Sequence, residues 1–208
     1  MNSVLTSMRL AVLGAGKQGR VIGHRLALAG NSVRFGVRGL HSANAAQVLH
    51  KHWDNVEVDT IASAISYGDV IVFAVPSEAC VELVLRHSRL LVGKIIVDAT
   101  GLEEGGWNTM NAIQQQIKNV RAFRAFSNIS SEVLDRSNFL TIPDLFYCGS
   151  DDQDAVNVLN LLIEQLGFRP IRLGGLSEVP LLDSLAKVRT ILVEQLHFSS
   201  SITLKALS

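Results

Sequence analysis

Short apolar runs alternate with helix-patterned stretches along almost the whole chain, and this alternation restricts the fold more than any other feature. β-Rich runs fall at Arg9–Leu13, Ser32–Val37, Val70–Val75, Lys94–Val97, Val120–Phe126, Leu145–Cys148 and Pro170–Leu173. The intervening periodicity predicts helices over Gly19–Ala29, Asn44–Lys51, Ser77–Ser88, Thr109–Lys118, Asp152–Gln165 and from Ser177 to Leu196 or beyond. Several runs are nearly continuous in Val, Ile, Leu and Phe, as strands buried on both faces must be. Strands and helices alternating at this spacing imply right-handed crossovers. The fold class is therefore α/β, a mostly parallel sheet with helices on both faces.

Composition excludes several function classes. Of 208 residues, 48% are hydrophobic and 18% charged, enough apolar material for a core and too little charge for a disordered chain. Lys plus Arg and Asp plus Glu both number 19, and no basic block occurs, which argues against nucleic-acid binding through bulk charge. Cys80 and Cys148 both sit in apolar contexts and read as buried thiols of a reducing compartment. Met1–Ser7 is short and polar, without the cationic start of a signal peptide. No stretch reaches the ~18 apolar residues of a membrane span. The expected location is the cytoplasm, without membrane insertion.

The strongest local signal is Leu13-Gly14-Ala15-Gly16-Lys17-Gln18-Gly19. A predicted strand precedes it and an apolar-periodic helix follows. Gly14 then serves the tight strand-to-helix turn, Gly16 the close approach of backbone to a pyrophosphate, and Gly19 the packing of helix on strand. The N–H groups and dipole at the helix start favour phosphate. Dinucleotide sites for NAD place an acid near the end of the second strand. Here no carboxylate occurs between Gly30 and Lys51, and Arg38 stands in its place. A guanidinium there can pair with a 2′-phosphate, so the expected cofactor is NADP(H). Arg34, four residues earlier, is expected to face solvent.

Ligands in open α/β sheets bind outside the carboxyl ends of the strands. Those rims are Phe73-Ala74-Val75-Pro76-Ser77-Glu78, Val97-Asp98-Ala99-Thr100-Gly101 and Ala125-Phe126-Ser127-Asn128-Ile129-Ser130. Ser77 can cap the following helix. Asn128 suits either a bond to the nicotinamide carboxamide or a cap on the turn Ser130–Leu134. Asp98 suits a charged site residue or a turn former, the turn being favoured. Lys187 stands four residues after Asp183, the spacing of a surface ion pair. No catalytic acid or base is identifiable, and no metal-ligand spacing occurs. Such a site suits hydride transfer between stacked rings, which depends on geometry more than on a proton donor.

The glycine loop, Gly36-Val37-Arg38, Ala74-Val75-Pro76, Arg124-Ala125-Phe126-Ser127-Asn128-Ile129, Phe146-Tyr147-Cys148-Gly149-Ser150-Asp151-Asp152 and Leu166-Gly167-Phe168-Arg169-Pro170 occur in order over most of the chain. Together they resemble the coenzyme F420-dependent NADP oxidoreductase family, to which the oxidoreductase domains of the STEAP metalloreductases are related. The resemblance implies a Rossmann-type doubly wound domain with a small C-terminal helical part, usually as a homodimer. It implies NADP(H) held by Gly14, Ala15, Gly16, Lys17, Gln18 and Gly19, by Val37 and Arg38, and by Val75 and Pro76. It implies F420 or a flavin as second substrate against the nicotinamide, near Thr100 and Asn128. The family commonly has Ser where Val37 stands, a cation near Ser42, an aromatic at Ser77, and Phe-Asn-Thr-Ile where this chain reads Phe126-Ser127-Asn128-Ile129.

The expected organisation is an NADP-binding domain over residues 1–176 and a C-terminal helical segment over 177–208. The apolar positions Leu181, Leu182, Leu185, Val188, Ile191, Leu192 and Leu196 fit one helical stripe, which either packs on the chain's own sheet or forms a dimer interface or pocket cover. The leading expectation is an NADP(H)-dependent oxidoreductase exchanging hydride with F420, flavin or another planar acceptor. A non-catalytic NADP(H)-binding sensor or partner module is the alternative. A β-hydroxyacid-type or pyrroline carboxylate-type reductase ranks lower, because such enzymes carry a longer helical domain.

Overall fold

The computed structural model describes residues 7–50, 53–101, 106–136 and 139–207. Most of the polar segment Met1–Ser7, and the expected end of the second helix at Lys51, lie outside the described residues. Eight strands form one sheet: β1 (Arg9–Leu13), β2 (Ser32–Val37), β3 (Val56–Thr60), β4 (Val70–Phe73), β5 (Ile95–Asp98), β6 (Arg121–Arg124), β7 (Asp144–Gly149) and β8 (Arg169–Arg172). Their order is β3-β2-β1-β4-β5-β6-β7-β8. Every pairing is parallel except β6 with β7, where Arg124 faces Cys148. The chain steps outward from β1 to β3, then crosses back to β4 on the other side of β1. A crevice opens at that reversal, beyond the carboxyl ends of β1 and β4.

Helices cover both faces. On one side lie α1 (Lys17–Leu28), α2 (Ala43–Leu49), α6 (Ser131–Leu134) and α7 (Gln153–Gln165); Ile22, Leu26, Leu159 and Leu162 pack against Val12, Phe35, Val72 and Phe123. On the other lie α3 (Ile61–Tyr67), α4 (Ser77–Leu91), α5 (Gly106–Gln116) and α8 (Val179–Glu194); Ile65, Val84, Ile113 and Leu182 pack against Leu13, Phe73, Ile96 and Ala122. Alternate strand residues thus enter opposite cores, which explains the unbroken apolar runs. Cys80 and Cys148 are buried free thiols, and burial raises both, Cys148 to about 12.

Several boundaries depart from expectation. β3 and α3 were not foreseen, because Val56-Glu57-Val58-Asp59-Thr60 is an edge strand that alternates apolar and charged residues. β4 and β6 end two residues early, as the chain turns out into the rims; Phe126 there has φ 67°. β5 extends one residue further, so Asp98 is the last strand residue and also forms the expected turn, its carboxylate accepting the Thr100 N–H at 3.0 Å. The last helix begins after a short 3-10 turn, Leu176–Glu178, and buries Val179, Leu182 and Ala186. Leu181, Val188 and Ile191 of the predicted stripe remain exposed. Beyond α8 the chain folds back, and Asp144 accepts the Ala206 N–H at 2.6 Å while Arg169 donates to the Ala206 carbonyl at 2.7 Å.

Candidate functional site

The glycine turn is sterically committed. Gly14 has φ +105°, and a Cβ there would lie 2.5 Å from the Ala74 carbonyl oxygen on the β4 rim. A Cβ on Gly19 would lie 2.3 Å from the Gly14 oxygen, so α1 could not pack this closely on the turn. A Cβ on Gly16 would meet nothing within 4 Å. Gly16 is the N-cap of α1 and supplies no side-chain cap. The uncapped helix start and the open space beside it suit an anionic group. Arg20 of α1 steadies the loop by donating to the Ala15 carbonyl at 2.6 Å.

A cavity of about 780 Å³ adjoins this turn. Gly14, Ala15, Gly16, Val37, Arg38, Val75 and Pro76 all line it, as do Ser42, Thr60 and Ile61. Its far wall is the face of α4 that carries Ala79, Glu82, Leu83, Arg86 and His87. This wall was missed from sequence; the signal was the helix directly after the Val75-Pro76 rim. Glu82 and Arg86 pair at 2.8 Å, and His87 departs from helical geometry at φ −116°, ψ 16°. Burial lowers the His87 imidazole, and the neighbouring Arg86 lowers it further, so the ring favours its neutral form.

Arg38 is exposed on the cavity wall and forms no ion pair among the described residues. Arg34 differs, and the expectation that it faces solvent is corrected. Its guanidinium stacks 4.1 Å from the Tyr67 ring centroid and pairs with Glu57 and Asp59 of β3. The neighbouring edge strand therefore neutralises one arginine and leaves the other to the cavity. Val37, where a hydroxyl is common in the resembling family, is 8% exposed. Ser42 caps α2 by accepting the Ala45 N–H at 3.3 Å.

Five predicted residues do not line the cavity. Gly19 packs beneath the turn. Lys17 pairs with Glu132 of α6, and that hydrogen bond holds the Glu132 carboxyl down at about 2. Gln18 donates to the Phe126 carbonyl at 3.2 Å and links α1 to the β6 rim. Thr100 is buried, and its carbonyl and Oγ1 accept from Arg124 at 2.9 and 2.8 Å. Asn128 is 6% exposed, and its Oδ1 finds no partner among the described residues. Asn128 is not a helix cap, because Ser130 caps α6 by accepting the Val133 N–H. Ser77 is not a cap either: it is the first residue of α4, and its buried hydroxyl is likewise unpartnered. Lys187 is exposed, and Asp183 pairs with Arg124 instead.

Residues 9–101, which include the glycine turn, Arg38 and the Val75-Pro76 rim, match the family described as NADP oxidoreductase, coenzyme F420-dependent. The likeness extends past that segment. The chain is 28% identical over 201 residues to the F420-dependent NADP reductase of Methanothermobacter marburgensis, covering 86% of this chain and 89% of that one. Over most of its length the chain is thus similar to F420-dependent NADP reductases. An F420-dependent NADP reductase of Methanocaldococcus jannaschii is 25% identical over 201 residues, with the same coverage. A solved structure from Arthrobacter sp. FB24, described as an F420-dependent NADP-reductase, superposes with a TM-score of 0.80 at 21% identity, covering 97% of this chain and all of that one. An imine reductase from Bacillus cereus shares the fold at a TM-score of 0.67, over 90% of this chain and 62% of its own. Among the described residues no helix is long and apolar enough to cross a membrane, and no His, Cys, Asp or Glu cluster suits a metal.

Proposed function

We propose that this protein is an NADP(H)-dependent oxidoreductase that transfers hydride between the nicotinamide and F420, a flavin or another planar acceptor. One observation carries the choice of dinucleotide. Arg38, just past the end of β2, faces the cavity without an ion-pair partner among the described residues, in a stretch with no carboxylate. An acid there would repel a 2′-phosphate, whereas a guanidinium binds it.

The first-turn N–H groups of α1, from Lys17 onward, hold the pyrophosphate, and the bare Gly16 admits it. The α4 wall and Arg38 enclose the adenosine end. Val75 and Pro76 direct the ribose and nicotinamide toward the rims at Thr100 and Asn128. NADP(H), when bound, supplies or receives the hydride. The chain's part is to align two rings and exclude water. The Asn128 Oδ1, buried and unpartnered, is suited to accept from a carboxamide N–H. No side chain is assigned to proton transfer.

Residues 1–176 form the dinucleotide-binding part in this reading, and 177–208 form a segment used for dimerisation or for covering the acceptor. The exposed Leu181, Val188 and Ile191 on α8, with Leu196 and Phe198 beyond it, suit the self-interface of a homodimer in the cytoplasm. Calorimetric titration with NADPH and NADH tests the dinucleotide assignment. An acceptor screen with F420, FMN and FAD tests turnover. NADPH should bind more tightly than NADH, and at least one acceptor should accelerate NADPH oxidation. Indifference to both nucleotides would overturn the reading.

A further inference from the structure

Arg124 is wholly buried, an unusual place for a guanidinium. It is the last residue of β6 and does not line the cavity. Asp98 of β5 lies 3.0 Å away and Asp183 of α8 lies 3.1 Å away. Its remaining hydrogen bonds go to the rim that follows β5. It donates to the Thr100 carbonyl and Oγ1 and, at 3.4 Å, to the Gly101 carbonyl. The Thr100 N–H donates back to Asp98 at 3.0 Å. The rim is therefore held through both its amide and its carbonyl groups, and the clamp ends on a helix 59 residues further along the chain.

Burying one cation among two carboxylates costs more than an apolar contact of the same volume would. Its use must be sought in geometry. The sheet order sets β5 and β6 on the opposite side of β1 and β4 from Arg38. The clamp thus acts on the half of the crevice where nicotinamide and acceptor would meet and not on the adenosine half.

We infer that Arg124 is a positioning residue for hydride transfer, tying the Thr100–Gly101 rim to α8 so that the C-terminal helix sets acceptor turnover and leaves dinucleotide affinity unchanged. The inference rests on the oxidoreductase reading for its kinetic half. Its structural half stands apart.

The test uses the full chain with Asp183→Asn and Arg124→Lys. Asp183 is partly exposed, so its amide replacement removes the charge from one arm of the clamp with Asp98 still in place. Amide exchange at Thr100, whose N–H donates to Asp98, should speed up by about tenfold or more in both variants. The kcat with FMN or F420 should fall by about tenfold or more, as small misplacements of reacting groups do. The Kd for NADPH should stay within about twofold. Rim amides that exchange as in the wild type overturn the inference, as does a proportional change in Kd and kcat. A wild-type protein that binds NADPH and reduces no acceptor overturns the functional reading, and the exchange measurement then decides the clamp by itself.

Discussion

The Arg124 guanidinium lies 3.0 Å from the Asp98 carboxylate, and neither side chain is exposed to solvent. Burial pushes the Asp98 carboxyl up, and Arg124 draws it back toward the ionised form. Removing one member of such a pair leaves the other charged and dry. Arg124→Met should therefore destabilise the protein by about 3–5 kcal/mol, the cost of breaking a buried pair. Urea denaturation measures it. A loss below about 1 kcal/mol would show that water reaches the site.

Arg38 poses the opposite case, an exposed cation without a partner. Arg38→Asp removes a charge-assisted contact and adds repulsion. At about 1.5–3 kcal/mol for a hydrogen bond to a charged group, NADPH should bind roughly 10- to 150-fold more weakly. NADH, which lacks the 2′-phosphate, should lose little. Titration of wild type and variant with both nucleotides gives the comparison. Equal losses for the two would remove Arg38 from the phosphate.

What could be read from the sequence, and what could not, follows from the range of the forces involved. Gly14, Gly16 and Gly19 act within one turn, so their spacing discloses them. Arg38 was legible because it replaces an acid at a fixed distance from that turn. Arg124 was not, since its partners lie in β5 and α8, and only the assembled sheet brings Asp98 and Asp183 to it. The turn at Asp98 was legible because Ala99-Thr100-Gly101 follows, and its carboxylate accepts the Thr100 N–H; its ion pair with Arg124 was not. The edge strand β3 hid behind Glu57 and Asp59, which pair with Arg34 on its neighbour. The α4 wall of the cavity carries ordinary helix residues, and only its place directly after the Val75-Pro76 rim marks it as a lining.

Lys17 opens α1 beside the glycine turn, but its ammonium is engaged by Glu132 of α6. The carboxylate competes with any phosphate for the same cation. Glu132→Gln should free Lys17 and tighten NADPH binding. Both groups are exposed, so the gain should be small, up to about fivefold, matching a surface pair of 0.2–1 kcal/mol. It should shrink as salt is raised, because screening weakens the freed cation's reach. Weaker binding in the variant would instead mean that Glu132 holds Lys17 in a productive position.

Asp144 joins the returning C-terminal segment to the sheet. It accepts from Arg169 through both oxygens and from the Ala206 N–H, and its own amide donates to the Leu204 carbonyl. The Arg169 hydrogen bonds hold its carboxyl below the usual range, against the upward push of burial. The native state therefore binds fewer protons than the unfolded chain through this group. Its stabilisation is full above the unfolded aspartate value of about 3.9 and is lost as pH falls from there toward the folded value. Protection of the Ala206 amide, taken relative to the intrinsic exchange rate at each pH, should be high at neutral pH and should fall on acidification below about pH 4. Asp144→Asn should show low protection already at neutral pH and lose the acid dependence. A variant with wild-type protection at Ala206 would assign the latch to Lys205, whose ammonium donates to the Ile142 carbonyl at 2.5 Å.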